Sequence, residues 1–439
     1  MTSPDENDLG PAAAEAVLAA SYGRLSPAPA LLYRQVGLLP PVALEMGELV
    51  AASGMPDLAE PAVEALVRCG LLRRQELSGG SPVFRMSCLE REHAVGLAER
   101  QDGQEERGAV VLRWVEYLLA GAIAAREVLS PSIPPERVVY RHPLPEPRGV
   151  PDEPAEALAW LAAHRESVAA AVPVAWKAGW PELAWRLLVA MRPLVQRRRD
   201  DVVWLPLLID HGLPAARRAL DNRGERQLLA VIGEGWLSEE QPAEAMACFE
   251  DLLASARQHQ DERDVARALL GIGQVQWSSG RPRAALAPLR RAADLYGALG
   301  DQHGLGRTLI LLGDLAATFG EPDEDVLLLS LAVDLLRECA EQYDRARARA
   351  YLGLAHARRG HHVAASNSLL QARAEFAETG AMWWEARSVD WLAAATRRQI
   401  GDGARHLLTE ACRLYELAGS GQDAARLRAM SARHEAAHT

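Results

Sequence analysis

Apolar and small residues recur with a period of 40 residues through the C-terminal half of the chain. The recurring element is an aliphatic residue followed by glycine or alanine: Ile232-Gly233, Ile272-Gly273, Leu312-Gly313, Leu352-Gly353 and Leu392-Ala393. Repetition at such a period is the signature of stacked structural units rather than of one globular core. The pattern predicts an array that holds other molecules along an extended surface.

The second repeat shows how one unit is built. Gly273 lies on the packing face of a first predicted helix, Gly280 ends that helix, and Ala285, Leu289 and Ala292 form the face of a second. The small residues allow two antiparallel helices to approach closely, and Leu289 fills the space between them. The unit resembles the tetratricopeptide repeat (TPR), a helix–turn–helix of about 34 residues, in the longer variant of bacterial regulators.

Two units depart from the pattern. In the third unit Asp325 takes the small position of the second helix, so that helix is expected to shift by one residue or to pack more loosely. The fifth unit is one residue short before Ala404, as expected of a terminal repeat that partly caps the stack.

The segment before the repeats predicts short helices and a strand around Val83–Met86, an arrangement typical of a winged helix. The fold class predicted for the whole chain is all-α, with a winged-helix-like module followed by a TPR α-solenoid coiled as a right-handed superhelix. The predicted divisions are a tail at 1–17, the winged-helix-like domain at 18–105, a connecting helix at 106–129, a proline-rich linker at 130–154, capping hairpins at 155–222, five repeats at 223–430 and a tail at 431–439. The linker is expected to be cut by protease after Arg137, Arg141 or Arg148, which would release the repeats.

This organisation resembles one known family. The segments SYGRLSPAPALLYRQVGLLP, AVEALVRCGLLRR and VFRMSCLEREHAVGLA resemble the winged helix of AfsR-like actinobacterial regulators, which are signal-transducing NTPases with numerous domains (STAND). The family carries a nucleotide-binding NB-ARC domain before the winged helix, and this sequence leaves no room for one. The Met-His-Asp motif of the family, whose histidine contacts the nucleotide phosphate, reads Met86-Ser87-Cys88 here. The resemblance therefore implies the C-terminal half of such a switch, without its nucleotide domain.

Composition supports a protein that binds no nucleotide. Lys177 is the only lysine, so the phosphate-binding motif GxxxxGK[ST] cannot be formed. The five cysteines are scattered and form no CxxC motif, which favours a reduced cytoplasm. The first residues are acidic and polar, so no secretory signal is expected. No apolar run reaches the roughly 18 residues of a membrane span.

Charge and motifs argue against DNA binding and against catalysis. Residues 1–110 contain 16 acidic and 9 basic residues, whereas duplex binding depends on a basic face. The sequence contains no HExxH, GxSxG or DxDxDG signature. His356, His361 and His362 cluster near one turn, where exposed polar histidines are more common than metal ligands. We therefore expect no enzyme activity, no cofactor and no metal.

The candidate binding site is a ladder of arginines along the first helices. The second position of successive units holds Gln227, Arg267, Arg307, Arg347 and Arg387. The ninth position and those after it add Glu234, Gln274, Trp277, Asp314, Arg358, Arg397 and Arg398. Guanidinium groups in a groove suit an acidic or C-terminal peptide. The alternative is that the arginines pair with nearby carboxylates such as Asp264 or Asp344 and are purely structural.

The predicted function is a non-catalytic cytoplasmic adaptor or regulatory protein that binds a protein or peptide segment in the concave groove of the repeats. Two alternatives remain open at this stage. One is a DNA-binding transcription regulator gated by a peptide, and the other is an auxiliary partner of a biosynthetic enzyme. The sequence does not indicate the oligomeric state or the identity of the partner.

Overall fold

A computed structural model describes residues 11–76, 81–135, 137–144, 153–197, 204–319, 323–400 and 402–438, without the side chains of 11–13, 397–400, 402–404 and 431–438. The chain forms two compact units that are not consecutive in sequence. Unit 1 contains Met1–Ala124, Glu136–Val150 and Ala163–Leu187, and unit 2 contains Ala125–Pro135, Pro151–Ala162 and Leu188–Thr439.

The structure is predominantly helical. In chain order its elements are α1 (Pro11–Tyr22), α2 (Pro27–Leu38), β1 (Leu44–Glu45), α3 (Met46–Ser53), α4 (Pro56–Arg68), β2 (Arg73–Gln75), β3 (Val83–Arg85), α5 (Cys88–Gln101), α6 (Gln104–Leu129), α7 (Pro154–Ala163), α8 (Arg165–Lys177), α9 (Pro181–Ala190), α10 (Arg192–Arg197), α11 (Trp204–Leu207), a π-helical turn (Leu208–Gly212), α12 (Leu213–Arg218), α13 (Asn222–Ser238), α14 (Pro242–Gln258), α15 (Glu262–Ser278), α16 (Pro282–Ala298), α17 (Gln302–Phe319), α18 (Glu324–Glu338), α19 (Gln342–Arg358), α20 (His362–Glu378), α21 (Met382–Ile400), α22 (Asp402–Leu417) and α23 (Gly421–His438).

Unit 1 combines helices α1–α5 and most of α6 with a small antiparallel sheet. The strand expected near Val83 is present as β3, and it pairs with β2 on one side and with β1 on the other. Phe84 lies in the central strand and is fully buried. β1, which is only two residues long, is the third strand of this small sheet in a predominantly helical structure.

The Ser87 position has a local structural role. Its hydroxyl accepts a hydrogen bond from the backbone N–H of Glu90, and the Glu90 carboxylate accepts one from the backbone N–H of Ser87 at 2.6 Å. This reciprocal capping box satisfies two N–H groups at the start of α5. A serine at this position thus begins a helix, which is a sufficient physical reason for its presence.

Helix α6 is long and apolar enough to cross a membrane by length and composition, contrary to the expectation from sequence. However, 72% of its apolar window is buried inside the protein. Trp114, Val115 and Leu118 of this helix are fully buried. Its hydropathy is therefore explained by its position in a protein core.

In unit 2, five helical hairpins repeat at an interval of 40 residues. Their first helices α13, α15, α17, α19 and α21 begin at Asn222, Glu262, Gln302, Gln342 and Met382. Glycine permits close packing within each hairpin: a Cβ on Gly273 would lie 2.5 Å from side-chain atoms of Leu289. Each first helix also contacts the first helix of the next unit, whereas contacts between successive second helices are sparse among the described residues. The first helices therefore line the inner face of the stack.

The shift expected in the third hairpin does not occur. A Cβ on Gly313 would lie 2.6 Å from Cγ of Leu329, and one on Gly353 would lie 2.7 Å from Cγ of Leu369. The third hairpin therefore packs as closely as the fourth. Asp325 is 2% exposed there, and its carboxylate is paired with the guanidinium of Arg359.

The fifth hairpin is one residue short, as its sequence indicates. Ala411 and Tyr415 are buried in α22, whereas an unbroken period of 40 from Ala372 and Phe376 would place the buried residues one position later. The side chain of Ala404 lies outside the described residues. Helix α23 then packs against α22.

Parts of the proline-rich linker are hydrogen-bonded to buried carboxylates of the unit to which each part belongs. In unit 1, the buried carboxylate of Glu116 accepts hydrogen bonds from the backbone N–H groups of Arg141 (2.6 Å) and His142 (3.2 Å). In unit 2, the backbone N–H of Ser132 donates to the carboxylate of Glu341 at 3.0 Å. These described stretches are anchored rather than free.

Candidate functional site: a groove lined by arginine and aromatic side chains

A cavity of about 410 Å³ opens on the inner face of the repeats in unit 2. Its walls come from helices α10, α13, α15, α17, α19 and α21. The lining residues are Gln196, Arg197, Glu234, Leu237, Ser238, Gln274, Trp277, Ser278, Arg307, Leu311, Tyr343, Arg347, Tyr351, Trp383, Trp384 and Arg387. We refer to this cavity as the arginine groove. It brings together six of the residues named from the sequence: Glu234, Gln274, Trp277, Arg307, Arg347 and Arg387.

Arg307 is held by carboxylates from two other first helices. Its Nη2 donates to Oε1 of Glu234 at 3.2 Å, and its Nε lies 3.8 Å from Oδ2 of Asp344. Glu234 also accepts from Arg192, at 2.6 Å from Nη2 and 3.1 Å from Nε. Burial opposes ionisation of Glu234, but the two arginines outweigh it and lower the pKa of the carboxyl to about 2.

Arg347 is neutralised within its own helix. Its Nη1 donates to Oδ1 of Asp344 at 2.7 Å, and His303 Nε2 lies 2.8 Å from the other carboxylate oxygen. Burial opposes ionisation of Asp344, but the hydrogen bond with His303 and the charges of Arg347 and Arg307 prevail and hold its pKa well below the usual range. The Arg347 guanidinium also lies 5.2 Å from the ring centre of Trp384. Arg347 therefore forms an ion pair with Asp344 and a cation–π contact with Trp384.

Arg387 differs from the other rungs of the ladder. Its guanidinium carbon lies 5.4 Å from the ring centre of Trp383 and 5.3 Å from that of Trp391. No carboxylate of the described residues forms an ion pair with it. Cation–π contacts hold the group in place without neutralising its charge. Among the described residues, no hydrogen bond from its N–H groups reaches a carboxylate.

The remaining predicted site residues lie apart from the cavity lining or outside the described side chains. Arg267 pairs with Asp264 of its own helix at 3.0 Å. Arg358 donates to Asp314 at 3.0 Å. Both pairs correspond to the structural alternative considered from the sequence. The side chains of Arg397 and Arg398 are outside the described residues.

The groove also contains residues that the sequence did not reveal. Arg197 of α10 is 3% exposed and stacks at 4.7 Å over the ring of Tyr343, whose hydroxyl donates to the carbonyl of Gln196 at 3.0 Å. Nothing in the repeat pattern marks Arg197, because it precedes the repeats in sequence. The adjacent Trp383 and Trp384 of α21 also line the cavity.

One cluster beside the groove has the composition of a metal site. Ligand atoms of His303, Glu341 and Asp344 all lie within 4.8 Å of one another, the one such group involving histidine that the described residues provide. Their bonding capacity is largely used: His303 Nδ1 lies 2.8 Å from the Ser132 hydroxyl, and its Nε2 faces Asp344. The guanidinium groups of Arg307 and Arg347 also form ion pairs with the Asp344 carboxylate. These residues therefore fit a hydrogen-bonded anchor for Ser132 better than a cation site.

The lining of the arginine groove carries a net positive charge. Four guanidinium groups and one carboxylate border the cavity, although the whole chain has a formal charge of −11. Aromatic rings from Trp277, Trp383 and Trp384 supply large apolar surfaces beside these charges. Such a combination can hold an anionic group together with an apolar or aromatic side chain.

Comparison with known proteins relates the chain to helical-repeat structures. No protein-family model matches the sequence, and no curated protein matches it significantly. A STAND protein with a tetratricopeptide repeat sensor from Pyrococcus horikoshii aligns over 94% of this chain and 60% of its own length, at 14% identity and a TM-score of 0.42. The Rap conjugation gene regulator of plasmid pLS20, solved with the Phr* peptide, aligns over 76% of this chain and 84% of its own length, at 14% identity and a TM-score of 0.48. The first of these is described as carrying a tetratricopeptide repeat sensor, and the likeness of both lies in the helical fold alone.

Proposed function

We propose that this protein is a non-catalytic cytoplasmic adaptor or regulator that binds a carboxylate-bearing peptide or protein segment in the arginine groove. The repeats of unit 2 are assigned as TPR units of 40 residues on their hairpin packing and period. Five free cysteines, none of them in a disulfide, are in keeping with a reducing compartment.

The observation that carries the proposal is the contrast between Arg387 and the other two ladder arginines that line the groove, Arg307 and Arg347. Arg307 and Arg347 are paired with carboxylates of the protein, so their charges already stabilise the fold. Arg387 is positioned by two indole rings and has no carboxylate partner among the described side chains. A carboxylate of a ligand would complete a charge-assisted pair with it.

For unit 1 we propose a winged-helix-like module of the AfsR type that serves as a structural element. The order of α2, β1, α3, α4, β2 and β3 supports the winged-helix assignment. Helix α4, which occupies the place of a recognition helix, exposes Asp57, Glu60 and Glu64 and only one arginine, Arg68. Three carboxylates on that face would repel a phosphate backbone, so we favour protein binding over the DNA-binding alternative.

The experiment is an affinity selection from a defined library of random peptides with free C-termini. The immobilised baits are the wild-type chain, Arg387→Glu, and Arg283→Glu as a control with the same charge change on an exposed position of α16. We expect wild type and Arg283→Glu to enrich peptides with Asp, Glu or a free terminal carboxylate. Arg387→Glu should lose that enrichment while keeping its melting temperature within a few degrees.

Two outcomes would contradict the proposal. One is equal enrichment of the same acidic peptides by wild type and Arg387→Glu, and the other is the absence of any acidic enrichment by wild type. A parallel selection with C-terminally amidated peptides separates the two sources of carboxylate. Enrichment that survives amidation assigns the ligand group to an Asp or Glu side chain, and enrichment that disappears assigns it to the chain terminus.

A further inference from the structure

Unit 1 contains a second cavity, of about 500 Å³, between α2, the C-terminal ends of α3 and α5, and α6. Its volume falls in the range of small-molecule sites. Leu31, Leu38 and Val110 supply apolar surface to it. The polar groups that line it are unusual in how their hydrogen bonds are used.

Arg113 lines the cavity with only one edge of its guanidinium engaged. Its Nε and Nη2 donate to the backbone carbonyl of Ala52, at 3.0 and 2.7 Å, near the end of α3. No carboxylate of the described residues pairs with it. Burial lowers the pKa of Arg113, because its charge is desolvated without a compensating negative group. The guanidinium is thus fixed in position with an uncompensated charge at the cavity.

Arg107, six residues earlier on α6, also donates to a backbone carbonyl. Its Nη1 donates to the carbonyl of Asp102 at 2.9 Å, and the described residues offer it no carboxylate either. Arg34 makes the contrast, because its Nε and Nη2 each lie 2.8 Å from an oxygen of the Asp102 carboxylate. The cavity therefore has one arginine paired with a carboxylate and two without an ion-pair partner among the described residues. The other carboxylate of the lining, Glu106, accepts a hydrogen bond from the backbone N–H of Gly103 at 2.9 Å.

Gln35 of α2 adds an unsatisfied acceptor. The residue is 7% exposed, and its Nε2 donates to the carbonyl of Ser53 at 3.3 Å, which fixes the orientation of the amide. Its Oε1 is buried and has no hydrogen-bond partner, and Gln35 is one of the residues that line the cavity. Because Gln35 and Arg113 bind the neighbouring carbonyls of Ser53 and Ala52, the two groups lie close together.

We propose that this cavity binds a small oxyanion that also carries a hydroxyl or amine hydrogen. The anionic oxygens would pair with Arg113 and Arg107, and the ligand O–H or N–H would donate to Oε1 of Gln35. The apolar wall formed by Leu31, Leu38 and Val110 would contact the carbon part of an organic ligand. A phosphate ester and a hydroxy- or amino-carboxylate share this chemistry.

The test is isothermal calorimetry on the full chain with two probes, inorganic phosphate at pH 6.5 and lactate, each titrated against chloride at equal ionic strength. Both probes carry an oxyanion and an O–H. We expect saturable binding of at least one probe below about 20 mM, the weak affinity of a small ligand with few contacts. The tighter probe identifies the anion as phosphate or carboxylate. Failure of both probes to bind contradicts the proposal.

Single arginine variants show which cavity binds the anion. Arg113→Gln should abolish it, whereas Arg24→Gln, on an exposed position of the same unit, and Arg387→Gln, in the arginine groove, should leave it unchanged. Loss on Arg387→Gln with retention on Arg113→Gln would place the anion in the groove of unit 2 and overturn the proposal.

Gln35→Met tests whether Gln35 contacts the ligand or only supports the fold. It also keeps the proposal testable if the Arg113 variant does not fold. The change removes a buried acceptor that has no partner, and it also removes the 3.3 Å hydrogen bond from Nε2 to the Ser53 carbonyl. These two effects oppose each other, so the melting temperature of the free protein should stay within a few degrees of wild type. The same change should weaken probe binding about tenfold, the effect of one hydrogen bond to an anion-bearing ligand. A lowered melting temperature with unchanged probe affinity would make Gln35 a packing residue and contradict its assigned role.

Discussion

At the residue scale, the arginines of the ladder fall into two groups, according to how far away in the sequence their carboxylate partners lie. Arg267 and Arg347 pair with Asp264 and Asp344, three positions earlier on the same helix, a spacing at which side chains meet on any α-helix. Arg307 reaches Glu234 across 73 residues. The first kind of pair could be predicted from the sequence, whereas the second depends on the curvature of the stack.

Glu234 provides a pH-dependent test of this network. Its pKa of about 2 lies below its ordinary value of 4.5, so its ion pairs contribute stability that is present above pH 4.5 and lost as the pH falls towards 2. Glu234→Gln should lower the free energy of unfolding at pH 7 by about 1–3 kcal/mol. The difference from wild type should shrink as the pH falls from 4.5 to 2.

Denaturant unfolding over that pH range measures the effect. Glu239→Gln is the matched control, because Glu239 is exposed five residues further along the chain, at the C-terminal end of α13. A constant difference between Glu234→Gln and wild type down to pH 2 would mean that the carboxylate is not held ionised by Arg192 and Arg307.

At the element scale, the glycines of the repeats are explained by helix packing. Gly313→Ala would place a methyl group 2.6 Å from Leu329 Cγ, so the hairpin must open. We expect a loss of about 1–3 kcal/mol in the free energy of unfolding, typical of an overfilled core. Gly297→Ala in α16 meets no atom within 4 Å, and it should raise that free energy by about 0.5 kcal/mol through helix propensity. Thermal unfolding of both variants decides whether the repeat glycine is needed for packing or is incidental.

The buried Asp325 gives a second test at this scale. The sequence indicated a disturbed hairpin, because a carboxylate at a position that holds a small buried residue in the other repeats is destabilising unless it is paired. The partner, Arg359, lies 34 positions away on the next hairpin and could not be inferred from one repeat. Arg359→Ala should therefore destabilise the protein more than the double variant Asp325→Ala/Arg359→Ala, which restores the small residue. Additive losses would show that the pair is not coupled.

The repeats themselves were predictable because each hairpin is specified by local spacing. The 40-residue period gives the starts of all five first helices, and the shortened fifth unit is confirmed by the burial of Ala411 and Tyr415. The site was predictable only in part. Arg197 joins the groove from α10, and its contact with Tyr343 depends on the way in which the stack closes on residues that precede it. A local pattern contains no information about such a contact.

At the scale of the whole molecule, the interleaved units change the expectation for protease cleavage. Arg137 is exposed, so trypsin should cut there. Cleavage after Arg141 is opposed by the hydrogen bonds of Arg141 and His142 to Glu116, and Arg148 lies outside the described residues. Unit 1 includes α8 from beyond the linker, and Ser167 of α8 donates to the buried carboxylate of Glu48 at 3.1 Å. The nicked fragments should therefore elute together in size-exclusion chromatography under native conditions. Separation of a free repeat fragment would show that α8 is not needed by unit 1.

The charge of the whole molecule makes its groove distinctive. A chain with a formal charge of −11 repels acidic partners at long range, and the arginine groove is a local exception to that field. Binding of an acidic segment should therefore weaken only modestly with salt if the pair with Arg387 is desolvated. A steep loss between 0.05 and about 0.5 M salt would instead indicate a diffuse surface attraction.

A charge-swap cycle at Arg387 tests the central claim most directly. A peptide with one Asp or Glu that binds the wild-type groove is compared with its Lys counterpart, each against wild type and Arg387→Glu, by calorimetry. We predict that each single change weakens binding by tenfold or more, and that the double change recovers most of the loss, a coupling of about 1.5 kcal/mol or more. Additive losses, with no recovery in the double change, would show that Arg387 does not contact the ligand carboxylate.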